Sequence, residues 1–314
     1  MLMRFLQALS LSALTLLLYA CGGVTGVMGN SSANSSSNNS NVPQVQHVVV
    51  VVLENTNYSD VVGSAVMPYF NTLVSKGALA EQYYANAHPS IPNYFIMTTG
   101  QPVTSDDSYN QTVSTDNAVR ELIAAGKSWK AYVESIPSQG FLGGDQFPYM
   151  RNHDPFSFFS DVQQSAGQTA NLVPSTQLAA DVSAGTLPNY SFIVPNALDD
   201  AHSCSDGTQN CPQSQRLQKA DQWLQANIGP LLANSAFQQS GLLIITFDES
   251  ADDMTNGGGR VATVLLGTHV RPGYVGNTTQ YDHRSLLSLT MRALGVPTIP
   301  NGASSAPQMT EFFQ

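Results

Sequence analysis

His47-Val48-Val49-Val50-Val51-Val52-Leu53-Glu54-Asn55 is the stretch on which the fold class turns. Five consecutive valines and a leucine leave no polar face, so the segment reads as a strand covered on both sides, as in a parallel sheet. It stops at an acid and an amide. A second run of the same kind, 242–247 (LLIITF), stops at Asp248-Glu249. Further apolar runs lie at 129–133 (WKAYV), 190–194 (YSFIV) and 261–266 (VATVLL). Helical patterns fall between them: Met67 to Lys76 before Gly77, 90–99 before Gly100, 116–125 before Gly126, about 214–234, and 283–294 before Gly295. Strand and helix in alternation predict an α/β domain with a mostly parallel central sheet. With no internal repeat and no second linker, one domain over 46–314 is the simplest division.

Working outward to the N-terminus, residues 1–20 (MLMRFLQALSLSALTLLLYA) carry one charge, Arg4, and then an apolar stretch from Leu9. That stretch is short for a membrane span and stands where a secretory signal belongs. Leu18-Tyr19-Ala20-Cys21 resembles the lipobox of bacterial lipoproteins, in which the cysteine thiol carries the diacylglyceryl group. The competing reading is an ordinary secretory signal with Cys21 as a bystander; lipidation is preferred. Residues 21–45 are rich in Gly, Ser and Asn and cannot bury enough surface to offset chain entropy, so they read as a flexible tether. An extracytoplasmic protein held to a membrane by its anchor, in the periplasm or at the cell surface, is the expected location. In such an oxidising compartment Cys204 and Cys211, which enclose a short polar loop, are expected to form a disulfide; two free thiols are the alternative.

The 314 residues are 42% hydrophobic, enough for one large core. Asp and Glu number 22 against 12 Lys and Arg, and no basic run occurs, which argues against nucleic acid as a partner. Acidity of this kind speaks to solubility and not to fold.

Ligands of open parallel sheets bind beyond the carboxyl ends of the strands. Glu54-Asn55 and Asp248-Glu249 stand at two such ends. Three carboxylates and an amide converging there would repel one another unless a cation sat among them. Each pair alone is also ordinary strand-end turn chemistry; their coincidence favours a site. Ser90, in His88-Pro89-Ser90-Ile91-Pro92-Asn93-Tyr94, stands at a predicted helix N-cap. Two readings stay open for it: a capping serine, or a hydroxyl beside the anion-binding N–H groups of a helix start. His88, His153, His202 and His283 lie in loops or at element ends near these segments, which suggests a common pocket.

With these residues assembled, the sequence resembles the phosphoesterase family of bacterial acid phosphatases and phospholipases C, within the alkaline phosphatase-like superfamily. LENTNYSD (53–60), HPSIPNYF (88–95), HDPF (153–156), PNALDDAH (195–202), ADQWL (220–224), FDES (247–250), GGGRVATVLLG (257–267) and YDHRSLL (281–287) carry it. The resemblance implies an alkaline phosphatase-like α/β/α sandwich that hydrolyses phosphate esters. It further implies one divalent metal ion on Glu54, Asn55, Asp248 and Glu249, with Ser90 as nucleophile and fifth ligand. His202 and His283 match active-site histidine positions, His153 is placed with them, and Asp200 fits a D-x-H pattern with His202. Oxygen ligands suit Ca²⁺, Mg²⁺ or Mn²⁺, whereas an inner-sphere histidine would favour Zn²⁺ or Fe.

Ser250-Ala251-Asp252-Asp253 replaces a basic or histidine-rich segment found in many relatives, and the domain is compact beside the phospholipases. Small phosphate esters are therefore the expected substrates. The alternatives are a phospholipase C or phosphodiesterase acting on lipid head groups, and an inactive surface-binding lipoprotein. A metal-free serine hydrolase would need a G-x-S-x-G elbow, which is absent from the sequence.

Overall fold

The computed structural model describes residues 41–314; the 1–20 leader, Cys21 and residues 22–40 of the tether lie outside them. The described residues fall within one compact unit, Asn39–Gln314. Its strands are β1 (His47–Leu53), β2 (Ala78–Ala80), β3 (Trp129–Val133), β4 (Leu172–Pro174), β5 (Tyr190–Val194), β6 (Gly241–Phe247), β7 (Val264–Gly267) and β8 (Tyr274–Gly276). They form one sheet in the order β4-β3-β5-β1-β6-β7-β2-β8.

The valine run occupies the middle of that sheet. β1 pairs in parallel with β5 on one side and with β6 on the other. Val48 to Leu53 are all at 0% exposure. Both faces of β1 are thus dry, as a strand without alternation requires. Burial of each such side chain contributes about 1.5–3 kcal/mol relative to exposure. The helices that cover the sheet gather in two groups. Pro68–Lys76 packs on the long helix Gln213–Ala233, which also meets Gln177–Ala184 and Ser235–Ser240. Ser90–Thr99, Ala118–Ala124 and His283–Ala293 pack on one another.

The sheet is mostly parallel. β7 is the exception, running antiparallel to both β6 and β2. It begins at Val264, three residues later than the apolar run 261–266 suggests. The strands missing from the sequence reading, β2, β4 and β8, are three residues each. Three residues are too few to show a periodicity. Long apolar or amphipathic elements, by contrast, fall within a few residues of their predicted bounds.

Ser90–Thr99 is buried along its whole length. It ends at Gly100, whose φ of 79° is left-handed and where a Cβ would stand 2.7 Å from the Pro300 carbonyl oxygen. Only glycine meets both demands. Among the described residues, no helix is long and apolar enough to cross a membrane.

Candidate active site

Leu53 lies opposite Phe247 in the parallel register of β1 and β6, so Glu54 and Asp248 leave the sheet side by side. Asn55 then takes a left-handed turn, φ 46°, which asparagine tolerates better than most side chains. The turn aims its backbone N–H at Asp248 Oδ1, 3.0 Å away. On the other flank of β1, the chain after β5 brings Asp200 and His202. The Glu54 N–H donates to the Asp200 carbonyl at 2.8 Å, and the His202 N–H donates to Asp200 Oδ1 at 2.8 Å. Between them Ala201 has a φ of 84°, a strained value for a residue with a Cβ that costs about 1–3 kcal/mol. Three neighbouring strands thus deliver the predicted residues to one edge.

Ser90 comes to this edge from the third direction. The sequence places it at the helix N-cap; the structure does not. Pro89 occupies the cap position, and Ser90 is the first helical residue. Its hydroxyl is free of capping and stands 3.0 Å from Glu54 Oε2 and 3.1 Å from Glu249 Oε1. Asn55 Nδ2 donates to Ser90 Oγ at 3.4 Å. Tyr94, one helical turn on, donates its O–H to Glu54 Oε1 at 2.6 Å. His88 bridges Glu249 Oε2 (2.5 Å) and the Asp253 carbonyl (3.1 Å).

Glu54, Asp200, Asp248 and Glu249 all have raised proton affinity, and burial is the leading cause for each. Mutual repulsion adds to it: Asp200 and Glu249 act on Glu54, and Glu54 and Glu249 act on Asp248. The Tyr94 hydrogen bond opposes the shift at Glu54, and His88 opposes it at Glu249. Asp248 Oδ2 and Asp200 Oδ2 are buried without a hydrogen-bond partner. Buried carboxylate oxygens of this kind are costly unless something positive reaches them. Among the described residues no three His, Cys, Asp or Glu side chains form a ready ligand cage. The donors nonetheless fit a hard divalent cation in kind: the carboxylates of Glu54, Asp248 and Glu249, the Asn55 amide and the Ser90 hydroxyl are oxygen-bearing.

The histidines divide. His153 lies on Tyr94, with centroids 5.2 Å apart and rings 8° from parallel. Its Nε2 is 3.5 Å from Glu54 Oε1 and its Nδ1 3.8 Å from Asp200 Oδ2. Burial, helped by His202, lowers its pKa to about 3. His202 Nδ1 is 3.8 Å from Glu54 Oε2, and Gln209 Nε2 contacts its other nitrogen. Burial and then Arg216, which donates to the His202 carbonyl at 2.7 Å, lower its pKa. His153 and His202 line a cavity of about 490 Å³ together with Ser90, Asn55 and Glu249. His283 does not line it. At 0% exposure, its Nε2–H donates to the Asp248 carbonyl (2.7 Å) and its Nδ1 accepts from the Tyr83 hydroxyl (3.0 Å). Burial lowers its pKa to about 4. Both ring nitrogens of His283 are thus engaged by protein groups, one of them the backbone that carries Asp248.

The Cys204–Cys211 disulfide is present, with Cα atoms 5.8 Å apart, and closes the loop that follows His202. Ser203 and Gly207, flanking and within that loop, belong to the cavity wall. Tyr94, Asp107 and Asn152 were not singled out in the sequence. Tyr94 had a signal, its i+4 spacing from Ser90 on one helix; Asp107 and Asn152 sit in irregular chain that pattern does not reach.

The profile of the phosphoesterase family matches residues 64–297. The phosphatidylinositol-3-phosphatase of Mycobacterium tuberculosis is 30% identical over 273 residues, covering 86% of this chain and 84% of its own. An acid phosphatase of Aspergillus fumigatus is 28% identical over 79% of this chain, which spans about half, 54%, of that relative. Among solved structures, murine ectonucleotide pyrophosphatase/phosphodiesterase 5 superposes with a TM-score of 0.55 at 12% identity, over 86% of this chain and 100% of that one. A Vibrio parahaemolyticus protein of the alkaline phosphatase superfamily gives 0.53 at 15% identity, over 79% and 66%. These two likenesses speak to the fold alone.

Proposed function

The chain belongs to the phosphoesterase family, and from that premise we propose that it hydrolyses small phosphate esters with Ser90 as nucleophile, through a phosphoserine, in a metal-dependent reaction. One observation carries the reading: the Ser90 hydroxyl, at a helix start, is held between carboxylates that end two adjacent parallel strands. A divalent cation on Glu54, Asn55, Asp248, Glu249 and Ser90 would lower the pKa of the hydroxyl and offset charge on the phosphoryl oxygens.

The residues of the chain do the rest. Ser90 Oγ, held between Glu54 and Glu249, attacks phosphorus in line, and its proton leaves to solvent in the cavity that Ser90 lines. His202, on the cavity wall, gives a proton to the departing alcohol. Water then attacks the phosphoserine, His202 takes the proton of that water, and the serine oxygen regains a proton from solvent. Tyr94 and His153 fix the orientation of Glu54, and His283 fixes the backbone that carries Asp248.

Turnover of p-nitrophenyl phosphate by Ser90→Ala tests this directly. Loss of at least about 10³-fold is expected, with the melting temperature kept. Wild-type protein quenched in acid during turnover should carry phosphate on the peptide containing Ser90. Wild-type rates in Ser90→Ala would end the assignment. Bis-p-nitrophenyl phosphate and phosphatidylcholine in the same assay separate monoesterase, diesterase and phospholipase C. The lipid anchor belongs to this proposal too, and Cys21→Ser should release the protein from membranes.

A further inference from the structure

The start of Ser90–Thr99 presents the Ile91 N–H beside the Ser90 hydroxyl, where an oxygen of a bound phosphoryl group would be received. That N–H is already taken: it donates to Asp107 Oδ1 at 3.2 Å. Asp107 arrives on irregular chain after Gly100 and lines the same cavity as Ser90 and Glu249. Among the described residues it has no ion-pair partner, and no lysine or arginine lines the cavity. Its charge is felt beside it: it adds to the rise that burial imposes on Glu249, and it opposes the lowering that burial and Arg216 impose on His202. A second feature points to a ligand here. Asn152, 7% exposed, lines the cavity with its amide oxygen buried and unpartnered, an acceptor for a donor that a bound molecule would bring.

We infer that Asp107 determines specificity by selecting the charge of the reacting phosphoryl group, admitting monoanions and disfavouring dianions. The inference rests on the reading of Ser90 as the nucleophile. A dianion meets an uncompensated carboxylate at the place where the helix would otherwise offer an N–H. A monoanion, either a diester or a monoester retaining one proton, carries one negative charge fewer against it. A retained P–OH can also donate to Asp107 or Asn152.

The test compares two substrates at pH 8, where a phosphate monoester, with a second pKa of about 6, is a dianion. p-Nitrophenyl phosphate is that dianion, and methyl p-nitrophenyl phosphate is a permanent monoanion. In Asp107→Asn the ratio of kcat/KM for the first to the second should rise about tenfold, and the inhibition constant of inorganic phosphate should fall by about the same factor. Asp107→Ala should move both in the same direction. If Asp107 only caps the helix, both substrates suffer together and the ratio stays put, which overturns the inference, as does a falling ratio. Should the wild type turn over neither substrate, the proposed function fails instead. Calorimetric binding of inorganic phosphate at pH 8 then decides about Asp107: tighter binding in Asp107→Asn supports the inference, and equal or weaker binding refutes it.

Discussion

Asp181 and Asp248 are both buried, at 4% and 0% exposure, yet the fold treats them in opposite ways. Around Asp181 the chain supplies every partner: Lys130 Nζ and the Tyr132 hydroxyl lie 2.6 Å from Oδ2, while Thr186 Oγ1 and Gln177 Nε2 lie 3.1 and 3.2 Å from Oδ1. Burial pushes Asp181 toward protonation, but these donors outweigh it and hold the carboxyl below its ordinary range. Asp248 receives the Asn55 N–H on one oxygen and nothing on the other, with Glu54 and Glu249 for neighbours. A carboxylate that only braces the fold is closed by the protein. Asp248 is left open on one oxygen, the arrangement that the proposed metal-dependent reaction would use.

The comparison breaks most decisively at Asp248→Asn. Activity on p-nitrophenyl phosphate should fall about 10³-fold, while metal-free protein melts at a higher temperature because like charges are removed. A lower melting temperature would mean that Asp248 is a structural group like Asp181.

Added divalent cation sharpens the same contrast. The raised pKa values mean that the folded state holds protons the unfolded chain releases. Metal-free stability should therefore decline as pH climbs above the ordinary values of 3.8 for Asp248 and 4.5 for Glu54 toward their raised ones. At pH 8 a cation at 100 times its dissociation constant should add about 2.7 kcal/mol, and less at pH 5, where protons compete. Melting curves in Mg²⁺, Ca²⁺ or Mn²⁺ against chelator would check this, and equal gains at both pH values would contradict it.

Asp181→Ala should lower the unfolding free energy by about 2 kcal/mol in urea titrations, with kcat of the folded fraction retained. The smallest effect belongs to Tyr83→Phe, which takes one hydrogen bond from His283. About 1 kcal/mol of stability and less than a fivefold change in kcat are expected if His283 braces the backbone, and a larger loss of kcat would mean that His283 takes part in the chemistry.

What the sequence made legible was whatever depends on continuity. β1 and β6 declared themselves by unbroken apolar runs, and their ends located Glu54, Asn55, Asp248 and Glu249. The reversal of β7 was hidden, since direction leaves no mark on an apolar run of four residues. Ser90 was placed one position off, because a serine before a proline and a hydrophobic helix has the composition of a cap. His283 looked like its companions in sequence; only the Tyr83 hydroxyl and a backbone carbonyl, from segments about 200 and 35 residues away, reveal that its ring is engaged. Asp107 depends on irregular chain, for which no period exists to be read.

The pairing of Leu53 with Phe247 has a further consequence for how such a protein can change. Inserting or deleting one residue within either strand would displace one acid relative to the other by about 3.3 Å and turn its side chain to the opposite face. Length variation is thus barred from two short stretches of chain and must be absorbed by the connections beyond Asn55 and Glu249. Lineages that diversify on this scaffold should differ there in loop size while keeping the spacing of their acids frozen.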